Sequence, residues 1–140
     1  MAKLDNGLAG LNAALDRILK DAETKITPAL LRSGREFADT AKALAESSRD
    51  TGALIDSIAV TPPSASTPPY SQPGGMRVAG PTEVIVTAGN EDVRYPHLVE
   101  WGTSKMEAEP FWVPAWRLSR PRILNRVRRL QRQIVRWKSQ

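Results

Sequence analysis

A chain of 140 residues with 41% hydrophobic, 25% charged and 6% aromatic residues has room for one domain with a modest core. It contains no cysteine and one histidine, which excludes disulfides and thiolate metal sites, and its apolar runs are too short to span a bilayer. The net charge of +5 is unevenly placed: residues 117–140 hold eight Arg, one Lys and no acid, so the tail carries about +9 and the body about −4.

Met1 to Asp5 lack the charged-then-apolar layout of a secretory signal, so a chain working inside a cell, or in a particle assembled there, is expected. Leu4, Leu8, Leu11, Leu15, Ile18, Leu19, Ala22 and Ile26 recur at three- and four-residue steps, the spacing of one helix face. Thr27-Pro28 reads as a cap followed by a first-turn proline. Leu30, Leu31, Phe37, Ala38, Ala41, Leu44 and Ala45 then continue a second stripe, with Gly34 a weak point. Pro28 either divides two helices or bends one. Asp50-Thr51-Gly52 marks a break and a cap for a short helical turn through Leu54, Ile55 and Ile58.

Six of the eleven prolines fall between Thr61 and Pro81. That density predicts a long exposed loop and a candidate binding arm around Tyr70, with a mobile loop lacking any partner as the plain alternative. Met76-Arg77-Val78 and Glu83-Val84-Ile85-Val86-Thr87 read as paired strands joined through Gly80-Pro81, the second ending at the turn signal Gly89-Asn90. Beyond Glu109 the chain is helical again. Ile123, Val127, Leu130, Ile134 and Trp137 share a face flanked by Arg, and Pro121 is the expected opening residue. The fold class is therefore α+β in a single domain over 1–140. Its parts are an N-terminal amphipathic helix or helix pair (1–47), a core with a small antiparallel sheet and exposed loop 61–81 (48–116), and a basic C-terminal helix (117–140).

Chemistry is sparse. A histidine-based triad would need His97 with a nucleophile and an acid, yet no G-x-S-x-G frame accompanies it. A zinc site would have His97 and carboxylates alone. Glu100, three residues on, shares a helical face with His97, and a structural or interface hydrogen bond is the preferred reading of the pair. Glu107 and Glu109 are a weak glycosidase signal, and no phosphate-cradling glycine motif is present. No catalytic, cofactor or metal residues are assigned.

Tyr95-Pro96-His97-Leu98-Val99-Glu100-Trp101-Gly102-Thr103-Ser104-Lys105 followed by Ala108-Glu109-Pro110-Phe111 is the densest segment. Pro96 can start a short helix presenting Tyr95, Leu98, Val99 and Trp101 to the core. Gly102 permits a backbone reversal, and Pro110-Phe111 restarts a helix with Trp101 and Phe111 as core pins. This segment resembles the Tyr-Ala-x-x-Val-Glu-Phe-Gly-Thr … Ala-x-Pro-Phe signature of the tail-component family of long-tailed bacteriophages, often labelled tail-completion or neck proteins. Thr51-Gly52-Ala53-Leu54-Ile55-Asp56-Ser57-Ile58 is similar to that family's Thr-Gly-x-Leu-x-x-Ser-Ile. The matched motifs (Thr51, Gly52, Leu54, Ser57, Ile58, Tyr95, Val99, Glu100, Trp101, Gly102, Thr103, Pro110 and Phe111) anchor residues 51–116. The long Pro-rich loop and the strongly basic C-terminal helix depart from the family pattern.

The resemblance implies a non-enzymatic structural subunit, assembled in the bacterial cytoplasm into a homo-oligomeric ring at the head–tail junction of a phage or gene-transfer particle. Sixfold symmetry is the expectation. The implied partners are further copies, the connector or stopper, and the tail terminator or tail tube proteins. An acidic body and basic tail suit head-to-tail contacts between identical subunits. Arg122, Arg126, Arg129, Arg132 and Arg136 are the candidate charged contacts. The alternative function is a nucleic-acid-binding module using the same Arg-rich helix, with Trp137 stacking on a base. A membrane-surface role for that helix is disfavoured, because basic amphipathic helices more often dock on protein.

Overall fold

The computed structural model describes residues 2–46, 52–105 and 107–139, with side chains described over 7–46, 52–105 and 107–136. It has an α+β architecture of two long helices, a small sheet packed on the first of them and two short helices, in the order α1 (Ala2–Ala45), α2 (Gly52–Asp56), β1 (Ala59–Thr61), β2 (Ile85–Thr87), α3 (Pro96–Trp101) and α4 (Trp112–Ser139). Trp137, the cap at Thr51 and the boundary near residue 47 lie outside the described residues or side chains.

α1 is one helix of 44 residues, about 66 Å long at 1.5 Å per residue. Pro28 lies inside it and is exposed, so the carbonyl left without its N–H partner can be satisfied by water. The C-terminal third supplies the core. Phe37, Ala38, Ala41 and Ala45 are buried at helical spacing and pack with Leu54, Ile58, Ala88, Val93, Val99, Phe111 and Ala115.

Gly34 is where α1 meets the sheet: a Cβ there would lie 3.0 Å from Val84 Cγ1 and 3.1 Å from Val60 Cγ1. The residue read as a weak point is thus the close-approach point between helix and sheet, where any side chain would push the two apart.

The strand pairing differs from the sequence expectation. β2 pairs antiparallel with β1 in the register Ala59↔Thr87, Val60↔Val86 and Thr61↔Ile85. Met76-Arg77-Val78 is no strand, and Val78 contributes one bridge to Ser66. Ala59 and Val60 are half-buried and Thr61 is buried, whereas Met76 and Val78 are exposed and offer the core nothing.

The 61–81 segment is also more ordered than a free loop. Thr67, Ser71 and Ala79 are buried. The Thr67 N–H donates to the Arg77 carbonyl at 2.8 Å, and the Thr67 hydroxyl accepts from the Arg77 N–H, also at 2.8 Å. Gln72 and Ala88 bond reciprocally along the continuation of β2. The prolines flank these paired positions, so the ladder donors survive.

α4 is continuous from Trp112 and contains Pro121 rather than starting at it. It runs back along α1: Phe37 meets Trp112 and Trp116 edge-on at 4.8 and 6.1 Å between ring centroids, and Arg126 reaches Ser33 and Glu36. Ile123, Val127, Leu130 and Ile134 are half-buried, as the amphipathic pattern requires.

Candidate assembly surface

The two motif segments converge in one core although the chain separates them by about forty residues. Leu54 and Ile58 pack with Val99 and Phe111, which is 1% exposed. The Ser57 hydroxyl donates to the Leu54 carbonyl at 2.6 Å and accepts from the Gly89 N–H at 2.9 Å, tying α2 to the end of β2. The Asn90 side chain accepts from the Asp92 and Val93 N–H groups, closing the turn that feeds α3. Gly52 is exposed at the start of α2.

α3 opens with Pro96 in its first turn and stops at Gly102, whose φ of +74° a side chain would resist and whose N–H donates to the Leu98 carbonyl at 2.8 Å. Val99 and Glu100 face inward and Tyr95 is half-buried. Leu98 is 39% exposed and Trp101 is 74% exposed, so neither is a core pin. A helix of six residues has room for one buried face, and Pro96, Val99 and Glu100 occupy it. Thr103 and Pro110 are exposed.

Glu100 is the residue whose role the sequence did not disclose. Its Oε2 accepts from the N–H groups of Phe111 at 2.8 Å and Trp112 at 2.9 Å, and its Oε1 from Val113 at 3.0 Å. The next residue, Pro114, has no N–H, and the Ala115 N–H already bonds the Phe111 carbonyl. One buried carboxylate therefore satisfies every unpaired donor at the start of α4, at the end of the helix dipole that favours negative charge. The Glu109 N–H donates to the Val99 carbonyl at 2.9 Å, pinning the intervening loop. His97 is exposed, and Glu100 turns away to α4. Glu107 and Glu109 are exposed on the loop, and among the described residues no group of three His, Asp or Glu is placed to hold a metal ion.

The candidate contact residues divide. Tyr70 is 53% exposed, at a φ of +59°, with the Arg94 guanidinium 3.9 Å from its ring centroid. It is a stacked residue on a folded segment and not the tip of a free arm. Arg126 is committed within the chain, donating to Ser33 Oγ at 2.9 Å and to Glu36 Oε1 at 2.6 Å. That hydrogen bond, opposed by partial burial and reinforced by the charges of Arg126, Arg32 and Arg122, holds the Glu36 carboxyl below its usual range. Arg122, Arg129, Arg132 and Arg136 lie on the exposed side of α4.

Several large apolar residues are also exposed. Leu8, Leu11, Leu15, Ile18 and Leu19 run along the outlying half of α1, Trp101 ends α3, and Trp116 and Leu118 lie in the first turns of α4. A groove of about 400 Å³ opens between Leu30, Gly34, Phe37, Trp112, Trp116 and Ile123. No described helix is long and apolar enough to cross a membrane. The chain matches no protein-family model, no curated protein and no solved structure.

Proposed function

We propose that this chain is a structural subunit of the head–tail junction of a long-tailed phage or a phage-derived particle. It forms a ring with its own copies and binds the neighbouring connector and tail proteins, and it acts by protein contact rather than catalysis. The observation that carries this reading is the joint role of the two motif segments. Leu54, Ile58, Val99 and Phe111 share one core, and Glu100 starts α4. Residues in such a pattern fix the path of the backbone, which is what a scaffold subunit needs. The exposed Trp101 and Trp116 supply rigid aromatic anchors of the kind that dominate protein interfaces.

The test is cryo-electron microscopy of intact particles from the source, with this chain traced in the density. A ring at the junction, with Trp101 or α4 against a neighbouring subunit, is the expected result. Absence of the chain from particles, or its distribution along nucleic acid, would overturn the reading. A nucleic-acid-binding role is the second reading, favoured by the exposure of Arg122, Arg129 and Arg132 on a helix with no acidic residue.

A further inference from the structure

Among the described residues, no element covers the outlying half of α1. Over residues 7–21 every residue except the half-buried Ala14 is exposed, and α1 residues become regularly half-buried only from Ala22 onward. Leu8, Leu11, Leu15 and Leu19 are 48–61% exposed and Ile18 is 37% exposed. A lone helical stretch of this length containing Gly7 and Gly10 has little stability in water, because helices of this size depend on packing of their apolar face. The apolar area is on the order of 500 Å² per copy, the size at which an exposed patch marks a binding face. A pair would bury about twice that, near the low end of specific interfaces.

The spacing of the stripe selects the partner. Leu8, Leu11, Leu15, Ile18 and Ala22 alternate by three and four residues, the a/d repeat of a helix that packs against another helix. We propose that a second copy of this chain covers this stripe, α1 lying parallel and in register with α1 of its neighbour. The choice of a second copy, in parallel, rests on the ring reading, since helices that line a ring axis and are related by rotation about it run in the same direction with the same stripe facing inward.

The flanking positions agree with this arrangement. In parallel register Gly7 falls beside Asn12 and Ala14 beside Leu19 of the neighbour, so no like charges meet and Leu19 is covered. Antiparallel seating would bring Leu19 to Asp5. Leucine at the first core position with isoleucine at the second in the Leu15–Ile18 repeat also favours assemblies above two helices.

The absence of cysteine makes the test direct, because one introduced thiol is the only one in the chain. Full-length Leu11→Cys and Leu15→Cys are each expected to form disulfide-linked dimers under mild oxidation, while Ala13→Cys, on the opposite helix face, is not. Preferential linking of Leu8→Cys to Ile18→Cys in a mixture would indicate antiparallel seating and overturn the proposal. Linking of Leu11→Cys to Val135→Cys alone would assign the stripe to a neighbour's α4 and overturn it equally. The wild-type chain is expected to self-associate by sedimentation, and Leu11→Asp with Leu15→Asp to weaken that association at least about tenfold. Retained near-ultraviolet dichroism from the Phe37–Trp112 contact shows that the double variant is folded. A monomeric wild type with no self-linking at Leu11→Cys overturns the helix seam, whereas absence from particles overturns the junction reading and leaves the seam standing.

Discussion

Glu100 illustrates how one side chain can define where a helix begins. With its carboxylate gone, three backbone donors at Phe111, Trp112 and Val113 lose their acceptor in a partly dry environment. Glu100→Ala is therefore expected to lower stability by about 3 kcal/mol, seen as a lower urea midpoint with an unchanged slope. Glu100→Gln should cost less, since the amide oxygen still accepts while the charge–dipole attraction is lost. Val99, Gly102 and Phe111 were legible as architectural residues because burial and turn chemistry leave their mark in residue type. The position of Trp101 was not, since a six-residue helix is too short for periodicity to reveal its buried side. The role of Glu100 was hidden for another reason: its partners are backbone groups eleven to thirteen residues away, which leave no trace in the sequence. Pro114, a proline suited to a first turn, was the available clue to where α4 starts.

Between elements, the clasp of Ser33, Glu36 and Arg126 joins α1 to α4. Because the folded state holds the Glu36 carboxyl below its ordinary value of 4.5, its contribution is complete above that pH. It is lost as pH falls from there through the lower folded value. Urea midpoints measured against pH should show wild type above Glu36→Gln near neutrality, with the gap closing below about pH 4.5. A constant gap would mean that the ion pair adds nothing. Both long helices were legible from their apolar repeats, yet Pro28 and Pro121 suggested boundaries that the helices run through. Each proline is exposed, so water can satisfy the freed carbonyl and packing on either side keeps the helix continuous. The strand pairing was misassigned because three-residue strands are short of signal, and the choice between Ala59–Thr61 and Met76–Val78 is decided by which segment can reach Gly34 and the core.

Across the whole molecule, the α+β class and the helical termini were readable from composition and period, whereas the folding back of the Pro-rich segment depended on long-range pairing that proline content masks. The charge asymmetry was also plain in the sequence, but its internal use was not: Arg126 is held by α1, while Arg122, Arg129 and Arg132 face outward. Those two groups should separate on duplex DNA if the second functional reading holds. Arg129→Ala is expected to reduce the slope of log affinity against log salt by about 0.9, and Arg126→Ala to leave it unchanged while lowering stability. Equal effects of the two variants would show that the clasp opens on binding, and undetectable binding at low salt would remove the nucleic-acid reading.

The continuity of α4 has a mechanical consequence. Its first turn is anchored by Glu100 and by the buried Phe111 and Ala115, and the same hydrogen-bonded rod carries the arginines some 20 residues further on. A pull or tilt applied at the basic end of this rod of about 40 Å would load the Arg126 clasp on α1 first and, once that opens, the joint between α3 and α4. Trp101 stands at that joint, exposed, so with the clasp open a neighbour gripping one end of the rod and another touching Trp101 would each feel the other's force.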